Sequence, residues 1–356
     1  MGMDNMLFGE GYYSGNPGDI FEEHGGDIER ELESLLLEQD PDIKLRIEKA
    51  AKDYKTKIQA SLRNETALRL SDSSGKASIK VKVVPGLPVV VRKRLMGRPI
   101  PPLPRIFIDK TSLLNAETGL EYLGKSLEPL NRLVTDPHLT PEEMRKALDY
   151  VRRLLNLFSV PGLDDDIVEF IVKIDQDVLG AYFFRHAEIH LYWLVIGLFS
   201  YKFGVSPESM TAVVAAHEWA HAYTHLGADA GGKRWDTDAF ASCSLITVEG
   251  LAQYYGGLAC EQLSKDCFNA HLKLLERQPH PYRSHLDWFK DNPDEHKTDP
   301  AEDLNRWGRI SKPELREAVR FALLEARSGD RRHPQNFVNT LREVRDRLQG
   351  RNGVSP

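Results

Sequence analysis

The chain has 356 residues, of which 47 are basic and 53 acidic, giving a net charge of −6, and 41% are apolar. This length supports a sizeable core and room for two domains, while the charge supplies no basic field for nucleic acid or an anionic membrane. The three cysteines, Cys243, Cys260 and Cys267, are an odd set without paired metal-type spacing, which argues against a secreted disulfide scaffold.

Residues 1–27 are glycine-rich and acidic and lack the apolar core of a signal peptide. They are expected to be flexible, and the protein is expected to be cytoplasmic. Asp40-Pro41-Asp42 then opens a helix, and Ile43, Ile47, Ala51, Tyr54, Ile58 and Leu62 form a stripe at helical spacing. Residues 71–75 read as a turn. Beyond it, Ile79, Val81 and Val83 alternate with Lys80 and Lys82, the pattern of a half-buried strand. Residues 89–91 and 106–108 are candidate strand partners. Between them, the proline-rich segment 98–104 reads as a stiff extended connector. These elements make up an expected N-terminal helix and strand region, 28–135.

Thr140-Pro141-Glu142-Glu143 is a capping box with proline at the first helical position, and it predicts a helix to Phe158. Strand-like stretches follow at 167–174, 178–184 and 187–193. The segment 187–192 reads either as an edge strand able to hold an extended peptide by backbone pairing or as an internal strand. The apolar run from Leu191 to Ser200 is too short to span a bilayer.

Ser206-Pro207-Glu208 supplies an N-cap, a first-position proline and a first-turn acid, and Gly227 a stop. The spacing predicts a helix over 207–226. In its second half stands His217-Glu218-Trp219-Ala220-His221, of the form H-E-x-x-H. Positions i and i+4 share one helical face, so two imidazoles there can grip one zinc ion, with Glu218 beside it as a base for water.

A catalytic zinc takes three protein ligands and keeps one position open. His225 is a poor third ligand, because an intact helix rises about 12 Å from residue 217 to residue 225. It reads instead as a helix-surface residue or a hydrogen-bonding neighbour of the site. Asp236-Thr237-Asp238 can cap a second helix running to Tyr255, and this helix carries Glu249 in an apolar, small-residue stretch. Burying a carboxylate there is costly unless a cation meets it. Glu249 is therefore the expected third ligand, Asp229 the reserve, and Gln253 the expected hydrogen-bond partner of Glu249.

H-E-x-x-H on one helix with a glutamate on the next resembles the gluzincin group of zinc metallopeptidases, over about a third of the chain. The resemblance implies a zincin-like α+β fold, mainly helical with a small mixed or antiparallel sheet. It implies peptide-bond hydrolysis at zinc held by His217, His221 and Glu249, with Glu218 as general base. It also implies a tyrosine or histidine that stabilises the oxyanion. Tyr255, His280, Tyr282 and His285 are candidates, and Tyr282 and His285 are preferred. The catalytic region would span 136–290, with a protein or peptide as substrate and with neither nucleic acid nor membrane as partner. The first ligand shell does not select the scissile bond, so hydrolysis of another amide or ester, or a catalytically silent binding role, are the alternatives. After Trp288 the chain turns polar. Residues 291–356 are expected to form a helical appendage, with a helix opened by Ser311-Lys312-Pro313 and another over 334–348, stopped by Gly350.

Overall fold

The computed structural model describes residues 27–70, 79–88, 178–288, 300–328 and 334–352. The expected features at 1–26, 71–75, 89–91, 98–104, 106–108, 140–158, 167–174 and 290–296 lie outside the described residues. Within them the chain is mainly helical with a small mixed sheet, an α+β arrangement.

Helix α1 (Asp27–Gln39) precedes α2 (Ile43–Thr66). The sequence stripe of α2 explains its placement: Ile43, Ile47, Ala51, Ile58 and Leu62 are all buried. Strands β1 (Lys80–Val84), β2 (Gly180–Phe183) and β3 (Glu188–Tyr192) form a sheet in the order β1-β3-β2. β1 runs parallel to β3, and β2 antiparallel to it. β3 is thus the central strand, bonded on both sides, and the edge-strand reading of 187–192 is wrong. Its five residues are all buried, as a strand covered on both faces requires. The apolar run expected from Leu191 is accounted for by α3 (Trp193–Phe203), which continues directly from β3. No helix among the described residues is long and apolar enough to cross a membrane.

Helix α4 (Pro207–Leu226) has the predicted bounds and lies at the centre of the molecule, buried along almost its whole length and packed against α2. The next expected helix is broken in two. α5 (Thr237–Ala241) starts at the predicted cap, where Asp236 accepts from the N–H groups of Asp238 and Ala239. It stops after five residues. α6 (Leu245–Leu263) then begins after an extended Ser244. Just before the break, Phe240 packs in the core against Trp235 and His225. α7 (Lys265–Leu275), α8 (His280–Arg283) and a 3-10 turn (Ser284–Asp287) complete this part.

The C-terminal helices are α9 (Pro300–Ile310), α10 (Pro313–Ser328) and α11 (Pro334–Asn352). α9 is an element the polar composition after Trp288 did not suggest, and α11 continues through Gly350. These helices share one hydrophobic cluster with α4 and α6. Trp307 of α9 packs against Tyr254 of α6 and against Phe268 and His271 of α7. Arg316 reaches Glu65 of α2 at 3.1 Å, and Arg320 donates to the Glu65 carbonyl at 3.0 Å. Trp307→Ala should therefore cost about 3–5 kcal/mol, as removal of a buried tryptophan does. Denaturant titration should show one shifted transition, with α4 and α6 melting at the same midpoint. A cost below about 1 kcal/mol would mean that α9 is not part of this core.

Candidate metal centre

The site begins with the fixing of α4. The Ser206 hydroxyl accepts from Ser209 N–H at 3.1 Å, and Pro207 opens the helix. Glu208 in the first turn accepts a two-pronged bond from Arg46 of α2, at 2.7 and 2.8 Å. An acid there also complements the helix dipole. Because α4 is surrounded on all sides, its polar residues are buried too: His217 is 8% exposed, Glu218 1% and His221 2%.

α6 crosses α4 closely at Gly256, where a Cβ would lie 3.3 Å from the Cα of His217. This contact carries Glu249, 1% exposed, to the two imidazoles. Its Oε2 lies 3.2 Å from His217 Nε2 and 3.5 Å from His221 Nε2. The two Nε2 atoms are 3.0 Å apart. Donors about 2.1 Å from one tetrahedral centre sit roughly 3.4 Å from each other. The observed spacings bracket that value, and the three buried side chains can hold a metal ion. Burial opposes ionisation of Glu249. The neighbouring His221 and His217, through charge and hydrogen bonding, outweigh it and hold the carboxyl far below the usual carboxylate range.

No family model matches the sequence, and neither a curated protein nor a solved structure matches the chain. The chemistry of the site is therefore read from its own residues.

Asp229, the reserve ligand, is not part of the cluster. Its Oδ1 accepts from the N–H groups of Gly231 and Lys233 and closes the turn after α4. His225 is not a surface residue. It is fully buried, with Nδ1 3.0 Å from the Tyr182 hydroxyl, Nε2 3.2 Å from Thr237 Oγ1, and its ring stacked on Phe240. With both nitrogens engaged, it ties β2, α4 and α5 together. Gln253 does not serve Glu249; it donates to Gln278 Oε1 at 2.9 Å, beyond the end of α7. Tyr282 lies beside the cluster, its ring 6.0 Å from that of His217. His285 is not part of the cluster: it donates from Nδ1 to the Tyr282 carbonyl at 3.1 Å and packs on Trp288 and Trp307. Tyr255 is buried against Tyr254, and His280 is exposed.

A small cleft, partly open to solvent, is lined by His217, Glu218 and Tyr282 but not by His285. Gly180 of β2 forms its wall beside Glu218. A Cβ at Gly180 would stand 2.6 Å from Glu218 Oε1 and 2.8 Å from Val214 Cγ1, so only glycine lets the carboxylate lie against the strand. The sequence carried a signal for this contact, since a glycine inside a predicted strand often marks a close approach. It carried none for Gln278.

Burial pushes the His225 imidazole down from 6.5 to about 4, with the charge of Arg327 adding to the effect. The folded state thus binds this proton less readily than the unfolded chain. The stabilisation is complete above pH 6.5 and is lost as pH falls toward 4, about 3 kcal/mol in all. In metal-stripped protein, His225→Gln should be less stable than wild type at pH 7.5 and should lose less stability between pH 6.5 and 4.5. Denaturant midpoints across this range test it, and parallel pH profiles would contradict it.

Proposed function

We propose that the protein is a zinc-dependent metallopeptidase of the zincin type, with a protein or peptide as substrate. One observation supports this above the rest: His217, His221 and Glu249 converge in space beside a cleft that Glu218 lines. Two imidazoles and one carboxylate form a donor set suited to zinc. When bound, the cation supplies a Lewis acid and makes water a usable nucleophile near neutral pH.

The chain's own residues do the remaining work. Glu218 takes the proton from water as its oxygen attacks the peptide carbonyl carbon. It then delivers that proton to the amine nitrogen as the C–N bond breaks. Gly180 keeps Glu218 in position by leaving room for it. Tyr282, on the same cleft, is assigned to the oxyanion that develops on the carbonyl. The burial of α4 keeps bulk water from the ligands and strengthens every charge interaction among them.

Metal analysis and a peptide-library digest test the proposal together. Wild type and Glu218→Gln should each hold about one zinc, and the variant should lose on the order of 10²–10⁴-fold in cleavage. His217→Ala should lose both metal and cleavage, and chelation of the wild type should reproduce that loss. A Glu218→Gln protein that cleaves at the wild-type rate would overturn the mechanism. Gly180→Ala should keep its metal but lose cleavage about tenfold or more, because its methyl group displaces the Glu218 carboxylate. Full activity in that variant would remove Gly180 from the positioning role.

A further inference from the structure

Part of the cleft wall has chemistry that hydrolysis does not require. The ionisable lining residues, His217, Glu218 and Tyr282, are all committed to the reaction centre. The lining also carries Gln253 and Gln278, bonded to each other at 2.9 Å, together with Leu274 and Pro279. Gln253 is 3% exposed, so its amide is held inside the molecule and does not trail in solvent.

One hydrogen bond between two carboxamides uses one NH₂ and one oxygen. Besides the second N–H of the donor and the second lone pair of the acceptor, it leaves one whole oxygen and one whole NH₂ group outside the pair, whichever way the two amides are turned. Here these are Gln253 Oε1 and the Gln278 NH₂ group, both on residues that line the cleft. A ligand that fits them carries a donor and an acceptor on one edge and has no charge. A primary carboxamide has this form. A single trans peptide unit directs its N–H and C=O to opposite sides and satisfies one of the two.

We infer that this wall is a side-chain subsite for glutamine or asparagine in the substrate, with the stem packed on Leu274 and Pro279 and its carboxamide paired with Gln253 and Gln278. This inference rests on the peptidase reading and adds the substrate class to it. An apolar side chain would strip water from the Gln253 oxygen and return no donor, the loss by which polar sites reject unmatched ligands. A glutamate side chain would bring a second carboxylate toward Glu218, and a lysine would offer the Gln278 amide no acceptor.

The test uses blocked octapeptides in two assays. Wild type digests a positional-scanning library. The Glu218→Gln protein, loaded with zinc, binds the best peptide and its Gln→Glu and Gln→Met relatives in a calorimeter. Preference for glutamine or asparagine at one position, with at least tenfold weaker binding of both relatives, is the expected result. Gln278→Leu, at a half-buried position, should bring the three peptides within about twofold of one another. Equal binding of the three by the parent protein, binding of none, or selectivity that survives Gln278→Leu would each overturn the subsite. Cleavage by wild type without carboxamide preference would overturn the subsite and leave the peptidase reading intact. Selective binding with no cleavage would sink the peptidase reading and keep the subsite.

Discussion

An ionised carboxylate that is only 1% exposed, as Glu249 is, loses several kcal/mol of hydration, and the contact between α4 and α6 depends on that loss being balanced. Two imidazoles within 3.5 Å provide the balance. Their Nε2 atoms stand close to each other as well, an arrangement that favours a positive charge between them: a proton on one ring or a cation shared by all three side chains. The fold and the candidate chemistry therefore make the same demand on these helices. The close crossing at Gly256 meets it through backbone proximity, without help from long flexible side chains.

Around this centre the protein sorts its histidines by the partners it gives them. His217 and His221 face a carboxylate. His225 has both nitrogens occupied by neutral hydroxyl groups, and His285 gives one to a backbone carbonyl. Burial holds His225, His271 and His285 below the ordinary histidine range. Neutral rings of this kind can pack on Phe240, Trp307 and Trp288 without carrying charge into the core. The identity of a residue thus says less about its role than the dipoles and charges set against it.

This distinction also decides how much of the site was legible in the sequence. The bounds of α4 could be read from Ser206, Pro207 and Gly227, because capping is local and each residue acts within one turn. The gathering of Glu249 with the two histidines followed from the cost of burying an acid in an apolar stretch. The break between α5 and α6 was missed, although Ser242-Cys243-Ser244 could have been read as a second cap, since Ser244 stands extended at the start of α6. The partner of Gln253 could not be read at all. Helical spacing put Glu249 within reach, but the side chain turned to Gln278, 25 residues away. The central position of β3 was equally hidden, since alternation along a strand does not say what lies on either side of it.

A cluster of three ligands on two helices tolerates little axial slippage. One residue of slide along α4 is about 1.5 Å, enough to take an imidazole out of reach of a shared cation. The helix is held against such slippage at both ends. At its start, Glu208 is gripped by Arg46 of α2. At its end, Arg327 of α10 donates to the Gly227 carbonyl and, at 3.0 Å, to that of Lys233. Each charge also has the sign that the helix dipole favours at its end. Glycine at position 227 suits this clamp, because a Cβ there would stand 2.4 Å from the Tyr223 carbonyl. The register of His217 and His221 against Glu249 is thus set by α2 on one side and α10 on the other. Residues far from the cleft in sequence therefore bear on its chemistry through the position of one helix.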